Sequence, residues 1–81
     1  MRELDAIGLA CPLPVLKARK LLAAMQPGER LLVRASDPMA AIDIPHLCHQ
    51  DGHRLVSRSE AVSGDLPVIS FVVERGADPG R

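Results

Sequence analysis

Aromatic residues are almost absent from this 81-residue chain, which contains one phenylalanine, Phe71, and no tryptophan or tyrosine. Single-stranded nucleic acids are bound largely by stacking bases on aromatic side chains, and the chain offers no set of such platforms. It also lacks net charge, because ten basic residues balance ten acidic ones. Without a basic field, phosphate-driven binding is disfavoured. We therefore expect no direct nucleic-acid partner.

Long apolar runs are missing as well. Met1 is followed by polar residues, not by the apolar stretch of a signal peptide, and no segment approaches the ~20 apolar residues that cross a bilayer. Cysteine is scarce, since Cys11 and Cys48 could form at most one disulfide, whereas small secreted domains usually carry several. We expect a cytoplasmic protein without a membrane partner, in a reducing compartment where an exposed thiol stays available for exchange.

Strand-like and helix-like segments alternate along the chain. Apolar residues spaced by three and four after Cys11 predict an amphipathic helix. Pro45 is expected to interrupt the second helix, so we predict a turn over 39–42 that leads into a helix starting near Asp43. The predicted elements are a strand at 4–7, a helix at 12–25, a strand at 30–35, a helix from about 43 to 52, and strands at 53–60 and 66–75 joined by a loop at 61–65.

The resulting order, βαβαββ, indicates the architecture. Right-handed crossovers place both helices on one face of a four-stranded mixed sheet, which gives an α/β fold of the two-layer (α+β) sandwich type. With 81 residues the chain is near the lower size at which one core suffices, so we expect a single domain over residues 1–75. Residues 76–81 are polar and are expected to form a flexible tail.

A thiol stands between the first predicted strand and the first predicted helix, in the run Cys11-Pro12-Leu13-Pro14. Pro12 suits the first position of a helix and pushes the residue before it toward an extended conformation, so we predict Cys11 as the helix N-cap. The prolines remove two donors from the first turn, which leaves the Leu13 N–H facing the sulfur. A helix start stabilises an anion by less than the free energy of one pKa unit. We expect a well-presented thiol, not an extremely acidic one.

Positive charge follows on the same predicted helix, at Lys17 and Lys20. These lysines could raise the reactivity of the Cys11 thiol or dock a partner. An ordinary solvated helix face explains the same pattern, and a partner protein could equally supply the activation. The sequence leaves these alternatives open.

The second thiol, Cys48, falls among apolar residues of the second predicted helix, which favours a small buried residue over a resolving thiol. Three histidines lie nearby, at His46, His49 and His53. A structural zinc site needs four ligands on one side of the metal, and Pro45 makes a regular helix across this cluster doubtful. We expect no bound metal and no cofactor.

Residues 5–14, Asp-Ala-Ile-Gly-Leu-Ala-Cys-Pro-Leu-Pro, resemble the N-terminal signature of the TusA family of sulfur carrier proteins, also called SirA-like, whose mark is Cys-Pro-x-Pro. Four further segments extend the resemblance over nearly the whole chain apart from the tail: Pro27-Gly28-Glu29, Ser36-Asp37-Pro38, Asp43-Ile44-Pro45 and Cys48. The resemblance implies that Cys11 accepts sulfane sulfur as a persulfide and passes it to another protein. The other site residues that it implies are Pro12, Leu13, Pro14, Gly8 and Asp5, with Lys17 and Lys20 as candidate docking residues.

The same resemblance implies the partners. The sulfur donor would be a cysteine desulfurase or a rhodanese, and the acceptor a downstream relay protein of tRNA thiolation or of sulfur oxidation and trafficking. Such a carrier is a sulfurtransferase only in the broad sense of persulfide transfer. Two alternatives stay open: a noncatalytic regulatory or interaction domain, and a redox protein in which Cys11 and Cys48 form a disulfide.

Overall fold

Four strands form one mixed sheet, and a computed structural model describes it within residues 1–77. The elements are β1 (Arg2–Ala6), α1 (Leu13–Ala24), β2 (Arg30–Ala35), α2 (Ala40–Asp51), β3 (Arg54–Ser63) and β4 (Leu66–Glu74). The strand order is β1-β2-β4-β3, with β1 parallel to β2 and with β4 antiparallel to both of its neighbours. The predicted α/β fold, with two helices on a four-stranded mixed sheet, is confirmed.

The core lies between the two helices and one face of the sheet. Strand residues on this face alternate with residues on the open face, as period-2 strands require. The helices contribute the stripes of apolar residues that pack on them. Phe71 is fully buried at the centre of this core, where β4 pairs it with Val33 of β2. The buried apolar residues from all these elements form one continuous cluster.

The second helix departs from the prediction. It begins at Ala40 and continues through Pro45, where a separate turn and a later start were expected. Pro45 has no N–H to donate to the carbonyl one turn earlier, which costs one helical hydrogen bond. The helix continues because residues on both sides of the proline pack into the core. The buried residues of the helix are Ala40, Ile44, Leu47 and Cys48. It ends at Gly52, whose φ of 75° is left-handed and favours glycine.

The hairpin between β3 and β4 is tighter than predicted. β3 extends to Ser63, three residues beyond the expected end at Glu60, and Ser63 pairs with Leu66 across a two-residue turn. Gly64 in this turn has a φ of 63°, the left-handed backbone that short hairpin connections need. The predicted loop at 61–65 was too long because Ala61, Val62 and Ser63, on an edge strand, pair their backbones with β4 while their side chains stay exposed.

The residues that follow β4 are hydrogen-bonded to α1 and to the segment between α2 and β3. The Gly76 N–H donates a hydrogen bond of 3.0 Å to Nδ1 of His53, and the Arg75 side chain donates one of 3.1 Å to the Leu22 carbonyl oxygen of α1. Burial lowers the pKa of His53, against an opposing effect of the Asp51 carboxylate. His53 is therefore a neutral acceptor that anchors Gly76.

Of the predicted tail, residues 78–81 lie outside the described part of the chain, and the domain boundary at residue 75 stays a prediction.

We expect the free energy of unfolding to fall in acid through His53. Because folding lowers the His53 pKa, its contribution is present above the unfolded value of about 6.5 and is lost as pH falls through the lower folded value. Urea denaturation at about pH 8 and about pH 5 measures this loss. His53→Asn keeps a side-chain acceptor without titrating in this range and should flatten the decline. An equally steep decline in that variant would refute the role of His53.

Phe71→Ala should lower the free energy of unfolding by about 3 to 5 kcal/mol, because it removes a fully buried ring from the core cluster. Val62 is 71% exposed on β3, so Val62→Ala is the matched surface control and should cost no more than about 0.5 kcal/mol. Urea denaturation compares the two variants. Similar costs at both positions would contradict the placement of the core.

Candidate functional site

Cys11 lies in the loop between β1 and α1, at the sheet edge where β1 and β2 end side by side. Ala6 and Ala35 are paired as the last residues of these two strands, so the loops that follow them begin next to each other. The Cys11 side chain is exposed and its thiol is free. The topology thus presents one thiol at the surface of a strand-to-helix junction.

Side chains that follow β2 hold the loop that follows β1. Ser36 Oγ accepts a 2.8 Å hydrogen bond from the Gly8 N–H, at a position where Gly8 has a φ of 84°. Asp37 Oδ2 accepts a 2.7 Å hydrogen bond from the Cys11 N–H. Asp43 Oδ2, on α2, lies 3.1 Å from Cys11 Sγ and accepts a hydrogen bond from the thiol. Backbone and side chain of Cys11 are therefore each held by a carboxylate.

Asp37 joins Cys11 to the start of α2. Its other oxygen, Oδ1, accepts a hydrogen bond of 3.0 Å from the Met39 N–H. The hydrogen bonds from the Met39 and Cys11 backbones lower the pKa of Asp37, in that order of importance. An ionised Asp37 thus fixes the Cys11 backbone relative to the helix that carries Asp43.

Asp43 is the main influence on the pKa of the thiol. The hydrogen bond to Asp43 raises the pKa of Cys11, and desolvation and the negative charges of Asp43 and Asp37 act in the same direction. A thiolate is the nucleophile in sulfur exchange, so the resting site holds Cys11 in its less reactive form. This agrees with the expectation that the thiol is not strongly acidic, but the cause is a carboxylate and was not foreseen.

The predicted helix start was wrong by one residue, and its donor was assigned incorrectly. Pro12, not Cys11, is the N-cap of α1, with a φ of −99°. The Leu13 N–H donates to the Ala10 carbonyl oxygen at 2.9 Å, not to the sulfur. A turn over residues 10–13 therefore precedes the helix and consumes the donor that was expected to face Cys11.

The remaining residues implied by the motif have structural positions around the thiol. Pro14 is buried in the first turn of α1, and Pro12 is exposed beside Cys11. Asp5 Oδ1 accepts a 3.0 Å hydrogen bond from the Ile7 N–H and shapes the turn that leaves β1. Asp5 and Pro14 thus support the loop and the helix on either side of Cys11.

A groove of about 270 Å³ opens beside Cys11 between α1 and α2. Its walls are formed by Pro12, Val15, Leu16 and Arg19 on one side and by Asp43, His46, Leu47 and Gln50 on the other. Four exposed aliphatic side chains lie near the starts of α1 and α2, and we call them the apolar rim: Leu13, Leu16, Met39 and Ile42. Exposed apolar surface of this kind is typical of sites that bind another protein.

Lys17 and Lys20 are not part of this groove. They line a separate depression with Leu4 and Leu21. Neither lysine contributes to the pKa shift of Cys11, which is caused by Asp43, desolvation and Asp37. Activation of the thiol by these lysines, one of the alternatives that the sequence left open, is therefore not supported.

Cys48 is only 3% exposed and belongs to the core cluster, as the sequence favoured. Burial raises the pKa of Cys48 to about 11, and the charge of Asp51 adds to the effect.

Within residues 1–77, no group of three or more His, Cys, Asp or Glu side chains is arranged to hold a metal ion. In the same range, no helix is long and apolar enough to cross a membrane.

The sequence predicted Asp37 as a cap of the second helix, but it assigned neither Asp37 nor Asp43 a role at the thiol. Both lie in segments that contributed to the family resemblance, Ser36-Asp37-Pro38 and Asp43-Ile44-Pro45, so the signal was present. Their partner Cys11 lies 26 and 32 residues away in sequence. These carboxylates lie next to Cys11 in space because β1 pairs with β2, a contact that the sequence alone does not specify.

Iodoacetamide should alkylate Cys11 in the folded protein and leave Cys48 unmodified, because only Cys11 is exposed. Cys48 should become reactive when urea unfolds the chain. Peptide mapping by mass spectrometry locates the label, and Cys11→Ser is the control that should stay unlabelled until unfolding. Labelling of Cys48 in the folded protein would contradict this assignment.

The chain is similar to known proteins in sequence and in fold. The family model described as "Sulfurtransferase TusA" matches residues 2–75, which span all six elements. The crystal structure of a SirA-like protein from Desulfitobacterium hafniense is similar, with a TM-score of 0.68 and 22% identity, over 89% of this chain and 96% of that chain. At this identity the likeness shows a shared fold. From the match over 2–75, the chain belongs to the TusA family of sulfurtransferases.

Proposed function

We propose that this chain is a sulfur carrier that accepts sulfane sulfur as a persulfide on Cys11 and hands it to an acceptor protein. The observation that carries the proposal is the exposed, free Cys11 thiol, fixed by Asp37 and Asp43 in a member of the TusA family. The carrier acts stoichiometrically, and it is a sulfurtransferase in the broad sense of persulfide transfer.

Loading is an exchange between a thiol and a persulfide. The Cys11 sulfur attacks the outer sulfur of the donor's persulfide, so a new S–S bond forms on Cys11 as the donor's S–S bond breaks. The donor cysteine leaves as a thiolate and takes up the proton that Cys11 has lost. In unloading, an acceptor thiolate attacks the outer sulfur and Cys11 returns to a thiol. Neither step changes the total oxidation state, so neither requires a redox cofactor.

The surroundings of Cys11 suit transfer between proteins. The thiol is exposed, so an outer sulfur bound to it would be accessible to a second macromolecule. The apolar rim and the groove between α1 and α2 provide area for a docked partner. The hydrogen bonds of Ser36 and Asp37 to the loop restrict where the sulfur can move. Presentation to a partner is the role that these features support.

The proposed donor is a cysteine desulfurase or a rhodanese, and the proposed acceptor is a relay protein of tRNA thiolation or of sulfur oxidation and trafficking. The balanced charge and the single aromatic residue support contact with proteins instead of direct contact with RNA. A reducing cytoplasm would keep the unloaded thiol free. Lys17 and Lys20, on the exposed side of α1, are proposed to contribute to docking outside the thiol groove.

The redox alternative has less support. A resolving Cys48 would have to reach Cys11 from the core, and burial holds its pKa at about 11, where little thiolate forms near neutral pH. Both thiols are free, and only Cys11 is exposed. The interaction-domain alternative differs in its prediction, because it requires no sulfur on Cys11.

Incubation with a cysteine desulfurase and cysteine should increase the mass of the chain by one sulfur atom, and reduction should reverse the gain. Cys11→Ser should gain no sulfur, because the attachment site is lost, whereas Cys48→Ser should load like the native chain. Intact-mass measurement followed by peptide mapping locates the sulfur. Loading of Cys11→Ser to the native level would reject the proposal, and so would a failure of every desulfurase and rhodanese tested to load the native chain.

A further inference from the structure

The Cys11 thiol lies against a carboxylate, where a cation would be expected beside an activated thiol. Its sulfur is 3.1 Å from Asp43 Oδ2, and its backbone N–H is 2.7 Å from Asp37 Oδ2. Both aspartates are partly exposed, so a group from a second molecule can approach them. The local charge therefore opposes formation of the thiolate until something approaches from outside.

The described residues supply no ion-pair partner for this charge. The groups around Asp43 are Cys11 from the β1–α1 loop, Asp37 from the β2–α2 loop, Arg19 from α1 and His46 of α2 itself. Arg19 is already engaged, because its Nε lies 2.8 Å from Asp51 Oδ2. None of the ion pairs formed within residues 1–77 involves Asp37 or Asp43. The negative charges of Asp37 and Asp43 therefore have no ion-pair partner among the described residues.

We propose that Asp43 is a positioning residue that keeps the resting Cys11 thiol protonated and restricts its exchange to sulfur donors that carry a positive charge beside the reactive sulfur. This inference rests on the proposed carrier function and adds the chemistry of the donor to it. The donor is a protein that presents a lysine or arginine next to its persulfide. Neutral and anionic sulfur compounds are poor substrates.

The physical reason is the competition for Asp43. A thiolate forming at Cys11 would lose its hydrogen bond to Asp43 and would face the carboxylate as a like charge. A cation that pairs with Asp43 offsets this repulsion and frees the thiol to ionise. An anionic compound increases the repulsion. The arrangement also protects the unloaded carrier, because small oxidants and disulfides react with the thiolate.

Small disulfides test this selectivity without any partner protein. The probes are cystamine, which carries an ammonium group on each half, and dithiodiglycolate, which carries a carboxylate on each half. In both reactions Cys11 attacks one sulfur, a mixed disulfide forms, and the released half leaves as a thiolate that takes up the Cys11 proton. The measured quantity is the ratio of the two rates for Cys11, followed by intact mass at low ionic strength.

The native chain should prefer cystamine, and Asp43→Asn should reduce that preference by about fivefold or more, chiefly by reacting faster with dithiodiglycolate. Asp43→Glu restores the charge and should recover most of the preference. Glu74→Gln is the charge-matched control, because Glu74 pairs with Arg30 at the opposite end of the sheet from Cys11. This control should keep the native ratio.

A second readout separates positioning from a general effect on structure. The rate of Cys11 alkylation by neutral iodoacetamide should rise at lower pH in Asp43→Asn than in the native chain, and Asp43→Ser should behave in the same way. Circular dichroism establishes that each variant is folded. An unchanged rate ratio and an unchanged pH profile in folded Asp43→Asn would overturn the inference. Neither readout involves a persulfide, so this result is independent of whether Cys11 carries sulfur.

Discussion

Parallel pairing of β1 with β2 is the constraint on which the site depends. It brings the ends of two strands together, so that the loop containing Cys11 starts beside the loop containing Ser36 and Asp37. Hydrogen bonds from the Gly8 and Cys11 N–H groups then join the two loops. Because α2 follows the second of these loops, the same arrangement places Asp43 within hydrogen-bond distance of the thiol. A change in strand register would separate the thiol from both carboxylates.

In the carrier function that we propose, this arrangement restrains the thiol that would hold the sulfur. Many reactive cysteines are activated by a cation, a metal or a helix start, which lower the thiol pKa. Cys11 has the opposite environment, since a direct hydrogen bond to Asp43 raises the pKa of its thiol. For a relay protein this is consistent with its task, because sulfur should be exchanged only with a docked partner. Under this proposal, the Cys11 thiol becomes reactive only in the complex with its partner.

The sequence predicted the features that depend on local pattern. The alternation of strands and helices, the exposed thiol at a junction and the buried Cys48 follow from periodicity, proline placement and apolar surroundings. The errors arose where tertiary structure overrides local preference. Pro45 stays inside α2 because the buried face of the helix is retained on both sides of it. The Leu13 N–H is paired within a turn that no local pattern indicated.

The contacts of Asp37 and Asp43 with Cys11 were missed for a different reason. These aspartates lie far from Cys11 in sequence, so no local pattern links them to the thiol.

The restraint of Cys11 by Asp43 can be tested directly by an NMR titration of the chain with ¹³C-labelled cysteine, in which the Cys11 Cβ shift is followed against pH. We expect a midpoint above the value of an ordinary cysteine, about 8.5, and a lower midpoint in Asp43→Asn. A midpoint in the native chain below the ordinary value would contradict a carboxylate-restrained thiol.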